Sequence, residues 1–303
     1  MSTGITFKTK TEEDVFNRVW SELPELVAKK CNGYDEVYGY KLVPDDPDAS
    51  EKFYDEAIAR ALIYKYCVAY QFDHDTIVSK IISILNWRKE FNPLSCAFRE
   101  VHDPSLIEVG MLTEYSQPDS PSKLVITWNI YGKLLENKVA LFKDINKFLR
   151  FRIGLMERGV RLLDFLGDDA GQEKSTYMSQ VHDYEGVTLR NMDSSIRKAA
   201  KEIVKVFQSY YPEILHAKYF VNVPTVLGWV YDVFKAFVDP RTRKKFVVMS
   251  DPSKLGRFIP EAPAKPYGGN DTKHSLADQN LTDIRPTPYA LYLLEQQVIE
   301  DVD

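Results

Sequence analysis

The sequence is poor in cysteine, and it has no excess of positive charge and no long apolar run. Its 303 residues include three cysteines, Cys31, Cys67 and Cys96, which are odd in number and far apart. This pattern argues against the disulfide framework of a small secreted protein, and it contains no CxxC metal motif. The net charge of −5 gives no reason to expect a nucleic-acid partner.

No stretch approaches the roughly 20 apolar residues that are needed to span a bilayer. The amino-terminal segment, MSTGITFKTKTEED, has no apolar run and so predicts no signal peptide. We therefore expect a cytoplasmic protein whose contact with membranes is peripheral. The chain is instead rich in aromatic residues, with 18 Tyr and 16 Phe. Such residues suit both cores and wide apolar cavities.

The first third of the chain is predicted to be helical. Apolar spacing indicates helices at 12–30, interrupted at Pro24, at 51–70, and at about 75–90, ending before Asn92 and its following proline. A stripe at i, i+3, i+4 and i+7 in the second helix contains Ile63, Tyr66, Cys67 and Tyr70.

From residue 122 onward, predicted strands alternate with predicted helices. The strands are LVITW (124–128), MSQVHDYEG (178–186), a short segment near 187–190, KYFVNVP (218–224) and KKFVVM (244–249). Helices are indicated at 141–158, 194–210 and 289–301. Alternation of this kind favours right-handed crossovers and an α/β fold with a mostly parallel sheet.

Three features of this second part of the chain allow more than one interpretation. Residues 225–238 are apolar on almost every side, which is typical of a buried crossover helix or of a lid over an apolar cavity. The basic cluster 241–245 suits either phospholipid head groups or a solvated loop. His182 and Tyr184 lie two apart and share one face of a strand, where they are either core residues or part of a pocket.

Several motifs, in order, resemble the CRAL-TRIO lipid-binding domain of the Sec-fourteen-like phosphatidylinositol transfer proteins. They are YYPEIL (210–215), KYFVNVP (218–224), FVDPRTRKKF (237–246) and YGG (267–269). The stretch 59–91, including Trp87 and Arg88, resembles the helical region that precedes this domain. The resemblance implies an N-terminal helical region at 1–98, a CRAL-TRIO domain at 99–277 and a C-terminal helical segment at 278–303.

This family resemblance implies an apolar pocket gated by the helix at 225–238. It also implies that Glu213 and Lys245 bind phosphatidylinositol, because a lysine can offset phosphate charge and a carboxylate can accept inositol hydroxyls. Members that exchange phosphatidylcholine carry a hydroxyl pair where this chain has Met178 and Gln180. Phosphatidylcholine is therefore not an expected ligand.

The motifs ILNWRKEFNPLSCAF, FRIGLMERG, QVHDY and KYFVNVPT further resemble a fungal subgroup, Sec-fourteen homolog five, which is similar to haem-binding members of the family. That resemblance implies haem b, with Tyr184 as the axial iron ligand and His182 supporting it. A phenolate favours ferric iron, and a neighbouring imidazole can orient it. Tyr70 and Cys67 are candidates to face the same cavity, and Arg152 or Arg197 could pair with a haem propionate.

Three functions remain open from the sequence. The first is a haem-binding protein on a lipid-transfer scaffold, with possible phosphatidylinositol binding and transfer at peripheral contacts with endoplasmic reticulum membranes. The second is a phosphatidylinositol transfer protein without haem. The third is a haem enzyme, which we do not expect because the sequence offers no separate distal His-Arg or His-Asn pair.

Overall fold

A computed structural model describes residues 5–45, 52–117, 120–132, 144–167, 176–188, 194–223 and 240–300. Its helices are α1 Lys10–Lys30, α2 Glu56–Ala69, α3 His74–Phe91, α4 Pro93–Phe98, α5 Pro104–Ile107, α6 Ile145–Arg161, α7 Ser194–Tyr210, α8 Pro240–Lys244, α9 Ala264–Tyr267 and α10 Pro288–Glu300, with a 3-10 helix at Pro252–Arg257. Its strands are β1 Glu36–Val37, β2 Tyr40–Lys41, β3 Gly110–Gln117, β4 Ser120–Ile130, β5 Met178–Asp183, β6 Leu215–Val221 and β7 Phe246–Val248. The predicted gate at 225–238 lies outside these described residues.

The predicted interruption at Pro24 is wrong, because α1 runs through this residue to Lys30. The helix starts where the Thr9 side chain accepts a hydrogen bond from the backbone of Glu12, which satisfies one free amide at the helix end. Four buried side chains on one face continue across the proline and hold both halves of the helix against the core. They are Phe16, Val19, Leu23 and Val27.

The helices predicted near 51–70 and 75–90 are present as α2 and α3. Each begins at an aspartate, Asp55 or Asp73, whose carboxylate accepts backbone hydrogen bonds of the first turn. Helix α3 ends at Phe91. The next residue, Asn92, has a φ of 57°, and Pro93 then starts α4. The left-handed conformation of Asn92 therefore turns the chain between two consecutive helices.

The five-stranded sheet has the order β3-β4-β5-β6-β7. Strands β4, β5, β6 and β7 are parallel to one another, and β3 pairs with the outer side of β4 in the antiparallel direction. The mostly parallel α/β architecture is thus confirmed, although β3 was not among the predicted strands. Residues 187 and 188 of the strand predicted near 187–190 are not in a strand, and 189–190 lie outside the described residues.

Helix α6 covers the sheet on the side of Gln180, where the amide of that residue lies 3.7 Å from the sulfur of Met156. It also packs closely on α4, because a side chain at Gly154 would meet the backbone of Cys96. No helix in the described part of the chain is both long enough and apolar enough to cross a membrane.

A buried ion network joins the N-terminal helical region to α6. The Arg88 guanidinium donates to both carboxylate oxygens of Glu36, at 3.0 and 2.8 Å, and to both of Glu157, at 2.8 and 3.0 Å. The hydroxyls of Tyr34 and Tyr211 donate to these same two carboxylates. The predicted boundary at 98/99 stays a prediction, and the two regions on either side of it share this network.

Candidate functional site

Strand alternation places Gln180 and His182 on one face of β5 and directs Tyr184, just after the strand, to the same side. In the parallel register Lys218 of β6 lies beside Gln180, and Phe220 lies beside His182. We call the surface formed by these five residues the pocket face. The opposite face of β5 carries Val181, which belongs to the second apolar core.

His182 is buried between two aromatic rings, with ring centroids 5.3 Å from that of Tyr131 and 5.5 Å from that of Phe220. Its Nε2 lies 3.4 Å from the side-chain oxygen of Gln180. Burial lowers the pKa of His182 well below its usual value, and the positive charges of Lys218 and Arg152 lower it further. The imidazole is therefore neutral at pH 7 and can donate one hydrogen bond and accept another.

Tyr184 follows the last residue of β5, and its backbone amide donates to the carbonyl of Val221. Its ring lies 5.6 Å from that of Tyr131 and 6.3 Å from that of Phe220. Burial, and next Tyr131, raise the pKa of Tyr184, whereas the charge of Arg152 acts in the opposite direction. The phenol consequently stays protonated unless a cation replaces its proton.

Arg152 lies on α6, one turn before Met156, and its charge acts on both His182 and Tyr184. Its guanidinium lies 5.7 Å from the ring of Phe207, and within the described part of the chain its buried Nε and Nη1 atoms have no hydrogen-bond partner. Burial lowers the pKa of Arg152, and a hydrogen bond with Tyr131 only partly offsets this effect. A buried guanidinium with free donors is costly, so an acceptor at this position would stabilise it.

Lys218 was not predicted as a site residue. Burial, followed by the charge of Arg152, lowers the pKa of Lys218 to about 7. Lys218 is nevertheless half-buried by accessible area, as is Tyr184. The alternation of KYFVNVP places Lys218 on the face of Phe220, but only the register with β5 places it near His182.

The other predicted residues of the cavity are placed differently. Cys67 is fully buried in the N-terminal core, and burial raises its thiol pKa to about 12. Tyr70 ends α2, and its hydroxyl has no partner. Both residues belong to the apolar core of the N-terminal region, and their part in the site stays a prediction. Arg197 lies on α7, and its side chain is outside the described part of the structure.

A second cluster contains Glu213 and Lys245, the two residues that the family resemblance assigned to phosphatidylinositol. The Lys245 ammonium lies 3.5 Å from the Glu213 carboxylate and donates to the carbonyl of Leu215 at 2.6 Å. Lys65 of α2, which was not predicted, donates to the backbone carbonyl of Glu213 at 3.1 Å. The ring of Tyr177 lies 3.6 Å from the Lys65 ammonium and 5.5 Å from that of Lys245. The cluster therefore holds two cations and one carboxylate.

The two clusters lie toward opposite ends of the parallel strands. Leu215, whose carbonyl binds Lys245, pairs with Met178 at the start of β5, whereas Tyr184 follows the end of that strand. Six residues of strand correspond to about 20 Å. Strand β5 therefore has a polar cluster near each of its ends. Met178, at the start of β5, and Gln180 are both buried.

The CRAL/TRIO domain model matches residues 115–269. The chain belongs to the CRAL/TRIO domain family. It is 52% identical over 301 residues to the phosphatidylinositol transfer protein SFH5 of Vanderwaltozyma polyspora, covering 99% of this chain and 100% of that protein. It is also 52% identical over 299 residues to the protein of the same name from Saccharomyces cerevisiae S288c, covering 98% and 99%.

A solved structure described as the crystal structure of Sfh5 has the same fold. Its TM-score is 0.91 at 51% sequence identity, and the match covers 98% of this chain and 100% of that one. The predicted membership in the Sfh5 subgroup of CRAL-TRIO proteins is therefore confirmed. These relatives are named for lipid transfer, which is transport rather than an enzymatic reaction.

Proposed function

We propose that this protein binds and transfers phosphatidylinositol and that its pocket also holds haem b through Tyr184. The observation that carries the haem part is a phenol, a neutral imidazole and a guanidinium with unused donors gathered on one buried surface. The protein acts as a carrier rather than as an enzyme.

The lipid part rests on the cluster of Glu213, Lys245 and Lys65 and on the names of the relatives. An inositol phosphate carries both a negative charge and hydroxyl groups. Lysine ammonium groups suit the first, and a carboxylate suits the second. The Lys245 ammonium is shared with a backbone carbonyl and a carboxylate 3.5 Å away, so a phosphate oxygen can replace the longer of these contacts.

The residues near Tyr184 fit a haem group. The protein offers one hard oxygen donor, and the unpartnered Nε and Nη1 of Arg152 suit a propionate. Bound haem would supply a ferric iron with affinity for phenolate oxygen. His182, neutral and two residues away, would orient the phenol by a hydrogen bond. Tyr70, Cys67 and Arg197 complete the proposed set of cavity residues.

The same reasoning extends to where the protein acts. Arg241 and Lys244 of α8 are exposed. They precede Lys245, the proposed lipid-binding residue, in the sequence. Basic residues at that position suit transient contact with anionic phospholipid surfaces. We therefore include peripheral association with endoplasmic reticulum membranes and an otherwise cytoplasmic location in the proposal.

An absorption spectrum of the purified protein tests the haem part. We expect a Soret band in the protein as isolated, and we expect Tyr184→Phe to abolish it while the unfolding midpoint stays within a few degrees. The matched control is Tyr131→Phe, which alters a neighbouring phenol on the same surface. A colourless protein that copurifies with phosphatidylinositol would leave the second candidate, lipid transfer without haem.

A further inference from the structure

Lys218 of β6 is a half-buried cation that lies beside two aromatic rings. Its ammonium lies 5.6 Å from the ring centroid of Phe220 and 5.8 Å from that of Phe246. Within the described residues, no carboxylate forms an ion pair with it. The nearest candidate along the chain, Glu213, pairs with Lys245 instead. Aromatic faces offset part of the cost of a buried ammonium, but they do not neutralise its charge.

Arg152 brings a second positive charge to the same surroundings from the opposite element, α6. The two charges interact unfavourably with each other, and both act on His182. Two like charges removed from water without a counter-ion destabilise a fold. A ligand with a negatively charged group that binds to both residues would offset this cost. Lys218 lies two residues before Phe220 and three after Leu215, so it is the pocket-face residue of β6 that lies nearer to the cluster around Glu213.

We infer that Lys218 and Arg152 form an anion-binding subsite. This subsite binds an anionic oxygen group of a ligand that is otherwise apolar. The group is either a haem propionate or the phosphate of phosphatidylinositol. Both present oxygens of the kind that ammonium and guanidinium groups bind. The inference rests on the proposed function only for the identity of the ligand.

The test compares Lys218→Met, which keeps most of the side-chain length, with Lys218→Arg, which keeps the charge. Lys205→Met, at an exposed position on α7, is the surface control. The first probe is ferric protoporphyrin IX beside its dimethyl ester, in which both propionates are uncharged. The second is phosphatidylinositol in vesicles of phosphatidylcholine. Binding of each probe is measured by titration with the ligand-free protein.

If the subsite binds a haem propionate, Lys218→Met weakens binding of ferric protoporphyrin IX, the diacid, about tenfold. Binding of its dimethyl ester, the diester, stays unchanged. For a lipid phosphate, the same variant weakens binding of phosphatidylinositol about tenfold and leaves the diacid unchanged. Lys218→Arg and Lys205→Met stay within about threefold of the original protein for both probes. Unchanged binding of both probes by Lys218→Met, or equal weakening of the diacid and the diester, would overturn the subsite.

A stability measurement separates this role from a structural one. Removing an unpaired buried charge leaves the unfolding midpoint of the ligand-free protein unchanged or raises it, whereas removing a structural lysine lowers it. Failure of the haem proposal is recognised separately, because the original protein would then bind neither porphyrin while the lipid arm still reports on Lys218.

Discussion

Arg88 and Glu157 form two parallel hydrogen bonds, Nη1 to Oε1 at 2.8 Å and Nη2 to Oε2 at 3.0 Å, and both side chains are fully or almost fully buried. The pair joins α3 of the N-terminal region to α6, the helix that also carries Arg152. Because Glu36 binds the same guanidinium, one cation is shared by two carboxylates. The pocket is thereby attached to the helical region that precedes it.

We expect Arg88→Met to lower the free energy of unfolding by about 3–5 kcal/mol, because it leaves two buried carboxylates without their cation. Urea unfolding followed by circular dichroism measures this loss. The control is Arg18→Met, since the exposed pair of Arg18 with Glu22 contributes less than about 1 kcal/mol. A loss below about 1 kcal/mol for Arg88→Met would contradict the importance given to this network.

The effect of Lys218 on stability is expected to depend on pH. The pKa of Lys218 is about 7 in the folded protein and near 10.5 when it is unfolded. The unfolded chain therefore binds more protons between these values, and the penalty for burying Lys218 is greatest below pH 7 and disappears as the pH rises toward 10.5.

Lys218→Met should consequently stabilise the ligand-free protein most at pH 6.5, with a gain that shrinks at pH 8 and again at pH 9.5. Urea unfolding of both proteins at these three values measures the difference. A gain that is constant or that grows with pH would show that the charge of Lys218 is not suppressed in the fold.

Transfer of phosphatidylinositol between vesicles is expected to fall at least tenfold in Lys245→Ala and in Lys65→Met. Each change removes a cation from the cluster around Glu213, and a charged hydrogen bond of this kind contributes roughly one to two powers of ten in affinity. Lys205→Ala, at an exposed position on α7 and away from the basic residues of α8, serves as the control. Full transfer by Lys65→Met would remove that residue from the site.

The proposed haem ligand and the proposed head-group cluster should be separable by mutation. They are anchored about 20 Å apart along β5, so each substitution leaves the other anchor intact. We expect Lys245→Ala to keep the Soret band and Tyr184→Phe to keep transfer of phosphatidylinositol. Loss of both properties in either variant, with the fold preserved in circular dichroism, would mean that the two ligands depend on one shared anchor.

Phosphatidylcholine is expected to be transferred poorly. Met178 and Gln180 are both buried, and the Gln180 amide lies 3.7 Å from the sulfur of Met156 rather than being free for a head group. A vesicle assay with labelled phosphatidylcholine should give a rate at least tenfold below that for phosphatidylinositol. Equal rates for the two lipids would contradict the specificity inferred from these positions.

By itself, the sequence determined most of the local structure. Helices α2 and α3 follow from their apolar stripes and aspartate caps, and the alternation of QVHDY places His182 and Tyr184 on one side of a strand. These are properties of neighbouring residues, because the periods of helix and strand decide which side chains share a face. The ordered motifs in turn predicted the family, and the resemblance singled out Glu213 and Lys245, whose ion pair only the structure shows.

Only the tertiary structure decided what surrounds those residues. Lys218 is a charged residue in an apolar strand until the register with β5 places it beside Gln180. Lys65 is separated from Glu213 by 148 positions, and Arg88 from Glu157 by 69. Pro24 could not be interpreted locally, since packing on both sides of it maintains α1. Long-range contacts fix burial, and burial decides whether a lysine is an ordinary surface charge or one whose pKa is lowered, as in Lys218.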